Sequence, residues 1–284
     1  MPYPYTISTD SPADLPEDLR LKYEIPFVEL YVVMEGTGYK DKTGITPEQI
    51  FDYYHSTKKI PTTSAVPIGD YLDFFRGLKA ENGNAPIVHF TIGGKISCSY
   101  QNAVEASKEF EEVYVIDSES MSIGIGLLLL WSAGERDKGI SAKDLAAAAE
   151  LKKKKVRTTA LLGEITYMKH SGRVTSVQAM GANMLGIRPV LGMTDGILGQ
   201  VRKLRGKAQE LRRQYIDFLL EEPAKIDTSI CMLAHTSIPP EDFETAEEQV
   251  RSLDIFKQMY TMQAGSVLSV HIGDGCLVFM YFLK

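Results

Sequence analysis

The sequence predicts an α/β protein in two parts. Residues 1–157 form an N-terminal domain with a largely parallel sheet flanked by helices. Residues 158–284 form an α+β domain with a mainly antiparallel sheet. Three observations carry this reading. Short apolar runs alternate with helical patterns through the first half, the signature of βαβ units. Val113–Ile116 is nearly all apolar, as a strand covered on both faces must be. Beyond the lysine run Lys152–Lys155 the rhythm changes to strand-rich segments punctuated by Asp195-Gly196, a hairpin signal.

Taken in order, Tyr5–Thr9 reads as a strand, Pro16–Tyr23 as a short helix and Phe27–Met34 as a second strand. Thr46 starts a helix that runs to about His55: its hydroxyl caps, Pro47 suits the first turn and Gln49 closes a capping box. Ile68–Lys79 is a helix, Pro86–Thr91 a strand, Tyr100–Phe110 a helix, Val113–Asp117 a strand, and Ile123–Asp137 a mostly apolar helix. Ser141 caps a helix that reaches Lys155, where the lysines complement the C-terminal dipole. In the second half Thr158–Leu162 is a strand, with helical stretches near Ile165–His170 and Val174–Leu185. Pro189–Leu204 is strand-rich. Lys207–Leu220 is a helix, Ile230–Ala234 a strand and Glu241–Ser252 a helix. Ser266–Val270 and Leu277–Phe282 read as closing strands around Gly273-Asp274-Gly275, which puts His271 at a strand end.

Composition narrows the function. The chain has 284 residues, 44% hydrophobic and 24% charged, enough to bury a core without disulfides or metal. Lys plus Arg is 31 against 37 for Asp plus Glu, a net charge of −6, which argues against nucleic acid as a partner. Cys98, Cys231 and Cys276 form no CxxC pair, the N-terminus has no signal-peptide pattern, and the apolar run Ile123–Trp131 is too short for a transmembrane segment. The expectation is a cytoplasmic protein.

Several motifs fail. Gly124-Ile125-Gly126 lacks the third glycine of a dinucleotide fingerprint and sits inside a helix. Gly93-Gly94-Lys95 lacks the rest of a phosphate loop. There is no GxSxG elbow and no HExxH helix, and the five histidines are scattered, so no metal site and no cofactor is expected. What remains is a set of polar residues where strands end and helices begin: Asp10-Ser11, Thr62-Thr63-Ser64, Ser97-Cys98-Ser99 and Asp117-Ser118. Each alone reads as a helix cap. Together, outside the carboxyl ends of parallel strands, they suit a small anion.

Pieces along almost the whole chain resemble the DegV family, fatty-acid-binding proteins that act as acyl-binding subunits of bacterial fatty acid kinase. They are Thr9-Asp10-Ser11; Thr63-Ser64 before a helix with Asp70-Tyr71; Ile96–Ala103; Ile116-Asp117-Ser118 with Ser122, Gly124 and Gly126; Ser171-Gly172-Arg173; Leu185–Leu191; Asp195-Gly196; Lys203 with Arg205; and Val270–Gly275. The chain also departs from the family pattern. Gly93-Gly94 stand for two serines, Cys98 for glycine, Ser99 for threonine, Ala65-Val66 for Gln-Pro, and Ser171 for glycine. These changes bear on ligand preference and leave open which loop hydroxyls hold the head group.

The resemblance implies a long-chain fatty acid in a buried tunnel, its carboxylate held near the domain junction by Thr63, Ser97 and His271 with Ser64 beside them. It implies that the carboxylate is presented to a separate ATP-binding fatty acid kinase subunit for acyl phosphate formation, with Arg173 and Arg205 toward the acyl phosphate or that partner. On this reading the chain catalyses nothing alone, and transient membrane-surface contact is compatible with it. The eleven methionines and eleven phenylalanines are candidates for the tunnel wall, although most belong to ordinary core. The alternative is a serine hydrolase acting on acyl esters, with Ser97 as nucleophile and His271 as base, which requires the two side chains within hydrogen-bond reach.

Overall fold

The computed structural model describes residues 3–174 and 186–284. Its first sheet has four parallel strands in the order β2-β1-β6-β7: β1 (Thr6–Asp10), β2 (Phe27–Val28), β6 (Ile87–Thr91) and β7 (Val113–Asp117). Every residue of β1 and β6 is buried, as central parallel strands require. Between β1 and β2 lies α1 (Glu17–Lys22). The single strand expected over Phe27–Met34 divides. After Glu29-Leu30 the chain turns out of the first sheet and β3 (Tyr31–Met34) joins a separate antiparallel sheet, in the order β4-β3-β5, with β4 (Thr37–Lys40) and β5 (Thr62–Ser64). Glu35 and Gly36 both have positive φ, the two-residue turn that suits such a hairpin.

The helix α2 (Pro47–Thr57) has its capping box in full, with the Thr46 hydroxyl accepting from the Gln49 amide and the Gln49 side chain accepting from the Thr46 amide. Alternation along β6 divides the first sheet's two faces. Ile87 packs with α3 (Ile68–Glu81) and α4 (Ser99–Ser107), whereas Val88 and Phe90 pack with α5 (Ile123–Asp137) and α6 (Ala142–Lys152).

The second sheet runs β11-β10-β9-β14-β12-β13, with the short β8 (Val156–Arg157) also paired to β14. Its strands are β9 (Thr159–Leu161), β10 (Ile187–Thr194), β11 (Ile197–Arg205), β12 (Ile226–His235), β13 (Met259–Gln263) and β14 (Leu277–Leu283). All pairs are antiparallel except β12 with β13. Asp195 and Gly196 form the expected turn, both at positive φ. On the outer face lie α8 (Ala208–Leu219) and α9 (Pro240–Ser252), packed on Leu233, Phe279 and Tyr281. The inner face offers Met232, Ala234, Val278 and Met280 to α5. That explains why Ile123–Leu129 is buried all round: α5 is covered by one sheet on each side.

Two further segments differ from expectation or escape it. Ser266–Ile272 is a helix, α10, and not a strand, so His271 sits on a helix. Its residues, Ser266 and Ser269 included, are buried on nearly every side, and seven residues are too few to separate a helical from a strand period. Gly265 and Gly273 bound it. The helix α7 (Thr166–Ser171) is found where helical character was expected. The helix expected over Val174–Leu185 falls, beyond its first residue, outside the described residues. No helix among the described residues is long and apolar enough to cross a membrane.

Close packing of α5 has a direct consequence. A Cβ on Gly126 would stand 2.5 Å from the Asp14 carbonyl oxygen, whereas one on Gly134, two turns further, meets nothing within 4 Å. Gly126→Ala is expected to destabilise by about 1–3 kcal/mol through overpacking. Gly134→Ala is expected to stabilise by about 0.5–1 kcal/mol through helix propensity. Urea unfolding of both variants checks this opposite pair of signs.

Candidate functional site

A cavity of about 540 Å3 opens just beyond the carboxyl ends of β1 and β6. Pro12, Ile92 and Gly94 to Ser97 come from the loops after those strands, and Met121 and Ser122 from the start of α5. The small sheet contributes Thr63 and Ser64, and the link between β2 and β3 contributes Leu30. The second half contributes Met168 of α7, Leu198 of β11, and Val267, Leu268, His271 and Ile272 of α10. The size lies inside the roughly 300–1,000 Å3 range of ligand pockets. Aliphatic side chains and two methionines make the apolar wall, and no phenylalanine of the described residues takes part.

Thr63 is fixed by the small sheet, where it faces Val32. Two bonds hold the segment that follows: the Val66 amide donates to Ser99 Oγ at 3.4 Å, and Asn102 Nδ2 donates to the Val66 carbonyl at 2.8 Å. Ser97 lies one residue short of the α4 N-cap, and its hydroxyl accepts from the Ser99 amide at 3.2 Å. Thr63 Oγ1 and His271 Nε2 share a hydrogen bond of 2.8 Å, its direction set by the ring tautomer. His271 Nδ1 is buried and has no partner among the described residues. Burial first, then the positive charges of Arg173 and His170, hold the ring's pKa down at about 3, so it is neutral.

Thr63, Ser64, Ser97, His271 and Arg173 all line this one cavity, although they come from positions as far apart as 63 and 271. Arg173 follows Gly172, the left-handed C-cap of α7, and is exposed, with Nη1 on the Ser171 carbonyl at 2.6 Å. Arg205 is not brought to the cavity. It stands at the end of β11 opposite Ile187, and its carbonyl accepts from Gln214. The Ser97 hydroxyl bonds to Ser99 Oγ at 3.1 Å while His271 Nε2 is engaged with Thr63, so the serine–histidine bond of the hydrolase alternative is not made here.

Of the four polar clusters at strand ends, two line the cavity and two build it. Asp10 is fully buried and accepts from the Tyr71 hydroxyl at 2.5 Å and the Ile92 amide at 3.0 Å. Asp117 accepts from the amides of Gly94 and Glu119, both at 2.9 Å. A Cβ on Gly94 would stand 2.8 Å from Asp117 Oδ2 and 3.0 Å from the Tyr100 ring, so here the loop is closed too tightly for a serine. Lys95 and Gln101 also line the cavity; the sequence placed them in the failed phosphate-loop motif and in the Ile96–Ala103 family match, and not among the site residues. The lining thus includes the cations Lys95 and Arg173 and, among the described residues, no carboxylate. No cluster that could hold a metal ion is found among the described residues.

Fold and cavity together define an α/β protein of two main sheets that encloses an apolar cavity with a hydroxyl-bearing, cationic rim. The chain belongs to the DegV family, whose sequence profile, described as covering uncharacterised proteins, matches residues 4–284. A DegV family protein from Thermus thermophilus, studied for fatty acid binding, has a structure that superposes with a TM-score of 0.89 at 25% identity over 99% of both chains. A stearic-acid-binding protein from Eubacterium ventriosum superposes with a TM-score of 0.85 at 26% identity, over 99% of this chain and 98% of that one. A fatty acid-binding protein of Thermotoga maritima is 26% identical over 279 residues, 96% of each chain.

The depressed basicity of His271 has a measurable signature. With no ligand bound, its ring resonances should not titrate between about pH 5 and 8, the window of an ordinary histidine. Because the folded pKa lies below the unfolded 6.5, the neutral ring's contribution to stability is present above pH 6.5. That contribution is lost as pH falls toward about 3. Acid unfolding of His271→Asn should accordingly be less steep than that of the parent.

Proposed function

We propose that the protein binds a long-chain fatty acid, its tail against the aliphatic wall and its carboxylate at Thr63, Ser97 and His271, with Ser64 beside them. The observation that carries this reading is the rim: a hydroxyl–imidazole pair and two cations, with no carboxylate among the described residues, on a chain whose net charge is −6. A carboxylate in a poorly solvated cavity needs donors, and these supply them. About 14 methylenes at ~0.8 kcal/mol each give roughly 11 kcal/mol before ordering costs, so the tail dominates affinity and the head group sets orientation. A bound carboxylate would also favour a protonated His271, since it places a negative charge beside a ring otherwise held neutral.

On this reading the carboxylate faces outward past Arg173, toward a separate ATP-binding kinase subunit that phosphorylates it. Support comes from the exposed position of Arg173 at the cavity rim and from the family resemblance. The chain then acts as a carrier in two parts, residues 1–157 and 158–284, with the head-group site near their junction.

Mass spectrometry of an organic extract of the purified protein should detect a long-chain fatty acid; an empty extract together with no uptake of added fatty acid would end this reading. Ser97→Ala or Thr63→Val should weaken fatty-acid binding about ten- to a hundredfold, the loss of one hydrogen bond to a charged group, and leave fatty-alcohol binding nearly unchanged.

Acyl phosphate should form from ATP only when a kinase subunit is added. Arg173→Ala should then reduce turnover more than lipid binding. Product from the pure protein alone would refute the carrier role.

A further inference from the structure

The hairpin of β10 and β11 outruns the strand beside it. Along β10 the ladder to β9 ends at Gly192, and the last backbone bond on that side runs from the Met193 amide to the Thr158 carbonyl at 3.1 Å. Among the described residues, no backbone outside the hairpin pairs with the backbone of Thr194–Leu198. Yet this tip closes one side of the cavity, because Leu198, 7% exposed, lines it. Polar contacts with the first half of the chain hold the tip. Lys95 Nζ donates to the Asp195 carbonyl at 2.7 Å, and Lys154 Nζ lies 3.8 Å from the Asp195 carboxylate. Lys154 is also paired with Glu119 at 2.5 Å. Gly196 is buried against the same glutamate, so near that a Cβ on it would stand 3.6 Å from Glu119 Cβ.

The two sides of this contact differ in rigidity. Lys95 and Glu119 stand on loops that the Asp117 carboxylate clamps together through the amides of Gly94 and Glu119. The buried Lys153 meets Glu119 as well, at 3.3 Å. These posts are fixed. The tip is attached to them through Lys95, Lys154 and Asp195, all exposed, and exposed pairs of this kind contribute little. A hairpin held by a sheet at its base and by exposed polar contacts at its tip opens at the tip first. Lys153 and Lys154, from the lysine run of the sequence, thus act at the edge of the cavity.

We propose that the hairpin tip is a clasp over the cavity: Lys95, Glu119 and Lys154 hold it closed with Leu198 against the ligand's tail, and its release sets how fast the ligand enters and leaves. The inference rests on the reading of the cavity as a fatty-acid site. It assigns Glu119, Lys154 and the tip to the rate of exchange, and leaves affinity to the tail wall and the head-group contacts.

The test is a cross-link that can be opened. Glu119→Cys combined with Gly196→Cys puts the two Cβ atoms within the roughly 3.5–4.5 Å that a disulfide spans. Gly196 has φ +73°, so Gly196→Cys alone is the control for strain. The wild type under the same oxidant controls for Cys98, which is exposed and lines the cavity. Stopped flow follows uptake of a long-chain fluorescent fatty acid and its release to serum albumin, before and after reduction of the double variant with dithiothreitol. The oxidised form should exchange at least about tenfold more slowly than the reduced form, with equilibrium affinity the same within about threefold. Equal rates in the two forms, with the bond confirmed by mass spectrometry, overturn the clasp, and so does a change in affinity without a change in rate. If the bond does not close or the double variant does not fold, Lys154→Ala decides. It should speed release about two- to fivefold, the worth of an exposed ion pair, and unchanged release overturns the clasp. Fatty acid taken up by neither the wild type nor any variant fails the cavity's reading and this proposal with it. Uptake by the wild type at rates indifferent to the cross-link fails the clasp alone.

Discussion

The cavity depends on one buried carboxylate. Asp14 is fully buried, and burying a charge there is tolerable only because three donors meet it. Lys42 Nζ lies at 2.9 Å, the Ser122 hydroxyl donates at 2.7 Å and the Gly265 amide at 3.0 Å. Those donors come from the small-sheet region, the start of α5 and the start of α10. Asp41 repeats the device one step along, accepting from the Val267 amide at 2.8 Å, while burial raises its own carboxyl. Both carboxylates sit where the free N–H groups of α10 point, so they orient that helix and carry His271 onto Thr63. Ser122 is held at φ 54°, ψ −134°, a conformation that costs about 1–3 kcal/mol unless its surroundings enforce it, and its bond to Asp14 is part of that enforcement.

A second buried network secures the sheet beneath. Asp10, His89 and Ser8 are linked on the face of the parallel sheet that α3 covers. His89 Nε2 lies 3.1 Å from Asp10 Oδ1, and Nδ1 lies 2.9 Å from Ser8 Oγ. The residue types are those of a hydrolytic triad, yet all three are fully buried and none lines the cavity. Tyr71 completes the network from α3, and Phe75 meets the His89 ring edge to face. This is a case where constellation without access carries structure and not chemistry. By tying the Ile92 amide to the end of β1, Asp10 starts the loop that delivers Gly94 and Ser97 to the cavity.

Elements with a clear period were legible. Val113–Asp117 and Ile123–Asp137 have the ends that their apolar runs indicate, although β7 is an edge strand with only Ile116 buried and so is not covered on both faces as its apolar content predicts; the Thr46 box and the Ser141 cap are both made. Those signals are local, written within a few residues. The small sheet was not legible, because β4 and β5 are three or four residues long, polar, and stable only through pairing with β3. Helix α10 was misread because its burial by both halves of the chain erases the polar face that would have marked its period.

The sequence by itself determined the class of fold, the location of the hydroxyls at strand ends, and the acidic balance that makes a cationic rim notable. Tertiary structure alone decided which of those polar residues face the cavity. Thr63, Ser97 and His271 line the cavity, while Asp10 and Asp117 turn inward to hold loops, because each of the latter has backbone amides of a neighbouring loop to satisfy. Arg205 stands at the opposite end of β11 from Leu198, and that position keeps it off the cavity that Arg173 lines. The donors on Asp14 come from residues 42, 122 and 265, and no spacing rule joins positions that only the folded chain brings to one oxygen pair.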